Sequence, residues 1–135
     1  MASVYHLPMT QSLYERLGGQ AAIMAAVDVF YQKVLGDELT RPFFESLDMR
    51  AQTQKQIAFM AWALGGPSEY KGRDLTAAHA KLVQTKGLSD AHFDAVAGHL
   101  AASLRELGVA PDLIEESLRI VGSTRDRVLG RAKQG

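Results

Sequence analysis

Four side chains, His79, Tyr31, Gln52 and Gln56, combine a reactive type with an uncomfortable position. His79 lies in GRDLTAAHAKLV, inside an apolar stripe of Leu75, Ala78, Leu82 and Val83 at helical spacing. An imidazole there either finds a backbone carbonyl in the core or holds something that the apolar face surrounds. Gln52 and Gln56, in AQTQKQIAFMAW, are i, i+4 neighbours on a helix side that continues into Phe59 and Met60. Buried amides are costly without partners, so this turn is either solvated or meets a polar ligand or its own neighbours. Tyr31, in VDVFYQKVL, brings to an apolar face a phenol that needs a partner if buried, or else reaches water.

One imidazole opposed by a few hydrogen-bond donors on other helices suits a flat apolar cofactor. A haem pocket has this form, with an axial histidine on one side and donors to a diatomic ligand on the other. Spacing alone leaves that possibility beside the plainer one of a satisfied core histidine. Other chemistry is easier to exclude. The chain has no cysteine, which removes disulfides, thiolate metal sites, iron–sulfur clusters and thiol catalysis. His6 lies in an aperiodic N-terminal stretch, and His92 and His99 sit two helical turns apart, about 11 Å of rise, too far for one metal. No HExxH, HxxxH or Glu-x-x-His pattern occurs, so a zinc or di-iron bundle site is not expected.

The elements that must position these residues are helical in rhythm. Residues 1–9 read as a loose arm, 10–131 as one domain and 132–135 as a tail. A domain of this size buries roughly two-thirds of its unfolded surface. A capped short helix ends at Gly18-Gly19, and a second, to about Leu35, places Ile23, Val27, Phe30, Tyr31 and Val34 on one side. DELTRPFFESLD suits a corner, and Met49 to Leu64 is a helix stopped by Gly65-Gly66-Pro67. The His79 helix runs to about Lys86, Ser89 caps the next to Leu107, and Pro111 starts a last one carrying Arg127 and Arg131 late. The class is all-α. Fifteen basic against fifteen acidic residues give zero net charge, which speaks against a nucleic-acid or anionic-membrane binder. No apolar run has the length of a membrane span and no signal peptide is evident, so a cytoplasmic monomer is expected.

In this order and spacing the segments LYERLGG (13–19), FYQKVL (30–35), PFF (42–44), ALGGP (63–67), YKGR (70–73), AAHAKLV (77–83) and GLSDAHFDAVAGHL (87–100) are specific. From about Ser12 to Leu129 the chain resembles the truncated haemoglobins, and among them the first of three main groups. The resemblance implies a two-over-two helical sandwich around one haem b. It implies His79 as the proximal iron ligand, Phe44 packed on the porphyrin, Tyr31 as the distal tyrosine, and Gln52 and Gln56 as distal donors. Phe59, Met60, Leu75, Phe93 and Val96 match pocket-lining positions, and in some members Met60 and Val96 match a ligand tunnel. Ala78 and Leu82 share the stripe against which a porphyrin face would pack. Tyr70, Lys71 and Arg73 stand where a haem propionate could be met.

The implied ligands are O₂, NO and CO. Donors left unpaired by a departing ligand cost roughly 1–3 kcal/mol each, which slows release and suits chemistry on O₂ better than oxygen transport. The resemblance implies dioxygenation of nitric oxide to nitrate, the best-established activity in this group of the family, as the leading expectation, with electrons from an unidentified reductase. Lys55 matches a position where some relatives carry a residue that closes onto the iron, although a surface or propionate-pairing lysine is the simpler reading. A haem-based sensor or redox partner with Lys55 as sixth ligand is the alternative. A haem-free interaction module is a third, opposed by the intact His79, Phe44 and Tyr31 set. The chain has no histidine after His99, so the haem crosslink to a late-helix histidine made by some relatives is not expected.

Overall fold

Ser12 starts the first helix by a reciprocal cap. Its hydroxyl accepts from Glu15 N at 3.1 Å, while Glu15 Oε1 accepts from Ser12 N at 3.2 Å. The computed structural model describes residues 11–68, 70 and 75–131. Within them the helices are α1 (Leu13–Leu17), α2 (Gly19–Leu35), α3 (Met49–Ala63), α4 (Leu75–Lys86), α5 (Asp90–Glu106), α6 (Pro111–Gly122) and α7 (Arg125–Val128). A 3₁₀ turn spans Arg41–Phe43, and no strand occurs among the described residues. The arm and tail expected at 1–9 and 132–135 lie outside them, as do Lys71 and Arg73.

α2 pairs with α3, α5 pairs with α6, and α2 crosses α5, which makes two layers of two helices. The expected α2 stripe is the centre of the core: Ile23, Val27, Phe30, Tyr31 and Val34 are all buried. They meet Met60, Ala61 and Leu64 from the α3 end, Leu100, Ala101 and Leu104 from α5, and Ile114 and Val121 from α6. Burying each large aliphatic or aromatic side chain contributes about 1.5–3 kcal/mol relative to exposure. The glycine pairs let the ends of α1 and α3 meet. Gly18, at φ 119°, turns α1 into α2, Tyr14 N donates to Leu64 O at 2.9 Å, and Gly66 lies against the Tyr14 ring where a Cβ would overlap it.

Two expectations change. The last helix does not run unbroken to Arg131 but divides at Ser123-Thr124 into α6 and α7. Buried Thr124 turns its hydroxyl back onto Val121 O at 2.7 Å, the local competition with helical bonding that Ser and Thr offer. In α4 only Leu75 is fully buried; His79, Leu82 and Val83 are half-buried and Ala78 is exposed. No α4 residue belongs to the core cluster, and the helix packs chiefly on α7.

Candidate functional site

Tyr31 is 5% exposed, with Phe30 and Phe44 edge-on to its ring at 5.0 and 5.7 Å between centroids. Gln52 Nε2, on α3, donates to the Tyr31 hydroxyl oxygen at 3.2 Å. The amide therefore takes an acceptor lone pair and leaves the phenol proton free to be donated. Burial pushes the Tyr31 pKa up to about 12, against the lowering effect of the Gln52 bond, so the proton stays in place at neutral pH. Gln56 is one turn further along the same side, half-buried, with no amide partner among the described residues. Lys55 beside them is exposed. As i+3 from Gln52, it lies at the border of that face rather than within it.

On α4, His79 Nδ1 lies 2.8 Å from Leu75 O. A carbonyl only accepts, so in the neutral ring Nδ1 carries the proton and Nε2 the lone pair, the tautomer that a metal ligand needs. The described residues offer Nε2 no partner. Among them no three His, Asp or Glu side chains gather, so a metal at His79 would have to bring most of its other ligands with it. A porphyrin does that. The walls suit one too: Phe44, Phe59, Phe93 and Val96 pack one side against the core and remain half-exposed on the other. Apolar side chains left half-exposed in this way suit the face of a flat apolar macrocycle. Met60, only 2% exposed, has joined the core.

The corner after α2, which carries Phe44, is held by four contacts that sequence patterns did not reveal. Thr40 is wholly buried and donates to Val34 O at 2.7 Å, and Lys86 Nζ donates to Pro42 O at 2.9 Å. The His99 Nε2 and Asp37 Oδ2 atoms are 2.7 Å apart, and the His92 ring meets Phe43 at 4.7 Å. A backbone bond from Leu39, followed by the His99 contact, holds the Asp37 carboxyl below its usual range. His92 and His99 are thus structural, as expected of each taken singly. Tyr70 packs edge-on to Phe59 at 5.6 Å and tilted against Trp62 at 5.4 Å, and its N–H donates to Ser68 Oγ at 3.1 Å. A surface cavity of about 210 Å³, lined by Leu17, Ala22, Ile23, Ala25, Leu104, Leu107 and Val109, opens beside α2 and the end of α5. Neither Met60 nor Val96 lines it.

Residues 12–129 match the family model for bacterial-like globins. The group 1 truncated haemoglobin of Tetrahymena pyriformis is 45% identical over 121 residues, covering 90% of this chain and 97% of that one. Its counterpart in Synechocystis is 46% identical over 112 residues, 83% and 90% of the two chains. Among solved structures, the 2/2 haemoglobin of Synechococcus sp. PCC 7002, in its cyanomet state with covalently attached haem, superposes with a TM-score of 0.85. It is 50% identical and covers 90% of this chain and 100% of that one. The Tetrahymena pyriformis protein has been solved with a tyrosine changed to phenylalanine and with either of two glutamines changed to glutamate. Its tyrosine precedes the first of those glutamines by 21 positions, the separation of Tyr31 and Gln52 here. Its two glutamines are one helical turn apart, as are Gln52 and Gln56.

Proposed function

Because the chain belongs to the bacterial-like globins, as a group 1 truncated haemoglobin that binds haem and diatomic ligands, we propose that it oxidises nitric oxide with O₂. In the net reaction NO, O₂ and one electron become nitrate, and the electron comes from a separate reductase. Haem, when bound, supplies the iron at which the diatomic ligand is taken up and the redox change occurs. His79 would hold the iron through Nε2, its ring oriented by the Nδ1–H bond to Leu75 O. Phe44, Phe59, Phe93, Val96 and Leu82 would enclose the porphyrin and keep water from it.

The Tyr31–Gln52 bond is the observation that supports this function most directly. An acceptor amide orientation would engage the phenol proton, whereas the donating one leaves that proton for a ligand that has gained negative charge. Gln56 adds a second amide one turn away. Each donor bond of this kind contributes about 1–3 kcal/mol when its loss would leave a buried group unpaired, or roughly 5- to 150-fold in ligand escape. Retention of that size suits a reactant better than a cargo. Lys55, which is exposed, would pair with a haem propionate in this scheme.

Rapid mixing of the oxygenated protein with NO is the test. Nitrate should form in step with loss of the oxygenated spectrum, and Tyr31→Phe should release O₂ roughly 10- to 100-fold faster. NO that persists beside the oxygenated protein as long as it does in buffer would remove nitric oxide dioxygenation from consideration. Lys55→Ala should leave the ferric spectrum unchanged from neutral to alkaline pH. A low-spin form that this substitution abolishes would instead make Lys55 an iron ligand.

A further inference from the structure

The His79 helix is anchored differently from the rest of the site. α4 stands outside the core cluster and rests on α7, a segment of four residues. So short a helix cannot hold itself in place by its own hydrogen bonds. The first turn of α4 carries a hydrogen bond to α7 beside a buried leucine. Leu75 is 3% exposed, and Thr76 Oγ1 donates to Arg127 O at 2.7 Å. The acceptor that orients the imidazole, Leu75 O, therefore belongs to the residue next to the one clipped onto α7.

α7 is in turn tied to the start of α5 by a lattice of charges. Arg125 reaches Asp94 at 2.6 Å and Asp90 at 3.1 Å. Arg131 meets Asp90 at 2.7 and 3.1 Å and Asp126 at 2.9 Å. Asp90 and Asp94 are like charges at i, i+4, which repel on a bare helix, and the two arginines reverse that penalty. The Arg125 guanidinium also lies 4.6 Å over the ring of Phe93, one of the half-buried pocket walls. A single exposed ion pair contributes little, but here several converge on a segment with few other attachments.

We propose that Thr76, Arg125 and Arg131 are positioning residues for His79. By holding α7 against α5 and the first turn of α4 against α7, they set the direction of Leu75 O. That carbonyl sets the orientation of the imidazole. The proposal rests on His79 as the iron ligand. Because the lattice is exposed, salt screens it, so the proximal side responds to ionic strength while the buried Tyr31 side does not.

The test uses the ferrous, ligand-free holoprotein, with the iron–histidine stretching band by resonance Raman and haem transfer to excess apomyoglobin as readouts. Thr76→Val keeps the branched shape and removes the hydroxyl. It should lower and broaden the band and speed haem loss roughly two- to tenfold. Thr76→Ser should restore both. Arg125→Gln with Arg131→Gln should give the same shift, and high salt should move the wild type toward that double variant without moving the double variant further. A Thr76→Val protein with the wild-type band overturns the proposal, even if it loses haem faster, because the effect is then general loosening. His79→Gly tests the premise separately: a band that survives there rejects His79 as ligand. A band that vanishes there while Thr76→Val stays unshifted rejects the positioning role alone.

Discussion

Tyr31 and His79 are held by opposite constructions. Tyr31 is 5% exposed among Phe30, Phe44 and the α2 stripe, and its hydroxyl partner comes from α3, a direct neighbour of α2. His79 is half-buried on a helix outside the core cluster, and its orienting carbonyl is secured through a clip to a four-residue segment. Core packing tolerates little displacement because every shift costs contacts. A helix hung from exposed polar contacts follows whatever its anchor does. One side of the site thus inherits rigidity from the fold, and the other has its position set by a few separable bonds.

Removing the imidazole breaks the comparison most severely. His79→Gly should weaken haem binding beyond the roughly 10- to 100-fold that removal of a ligand's hydrogen-bond partner costs. Added imidazole should recover the Soret band on titration with haemin. The fold should survive, since α4 contributes nothing to the core cluster. Loss of helical circular dichroism in the haem-free variant would show that α4 carries more of the stability than its packing implies.

The next effect belongs to the core side. Gly66→Ala places a Cβ in the Tyr14 ring, which is held between α1 and the end of α3 by the Tyr14 N to Leu64 O bond. The ring is buried, so overpacking should destabilise by about 1–3 kcal/mol in a denaturant titration. The iron–histidine band should not move. A shifted band with unchanged stability would mean that the Tyr31 and His79 sides are coupled through that corner.

The same division separates what the sequence made legible from what it did not. The α2 stripe is local periodicity, and all five residues assigned to it are buried. His79 and the Gln52/Gln56 pair were visible as polar types on apolar faces, a conflict confined to one helix each. The α7 anchor was not visible, because it joins residues far apart in the chain: 51 positions separate Thr76 from Arg127, 35 separate Asp90 from Arg125, and 41 separate Asp90 from Arg131. One signal did exist. Asp90 and Asp94 repeat a negative charge one helical turn apart, an arrangement that calls for a cation from elsewhere. The break at Ser123-Thr124 was hidden for a different reason, since Thr is tolerated within helices and only its buried hydroxyl bond reveals the turn. Periodicity also put Ala78 in the stripe, but the helix reaches its neighbours through Leu75 and leaves Ala78 exposed.

The smallest expected effect tests how firmly the core holds Tyr31. Its pKa is raised from 10.0 to about 12, chiefly by burial, so the folded state keeps a proton that the unfolded chain releases first. With a folded pKa above the unfolded one, this stabilisation is complete below pH 10 and is lost as pH rises toward 12. The first pH unit of that window should remove about 1 kcal/mol from wild type relative to Tyr31→Phe, in denaturant titrations of both proteins. Lysines and the other tyrosines titrate in the same range, but they do so in both proteins and cancel in the difference. Parallel stability curves across the window would mean that water reaches the phenol. The Tyr31 side would then be as adjustable as the His79 side, and the contrast between them would disappear.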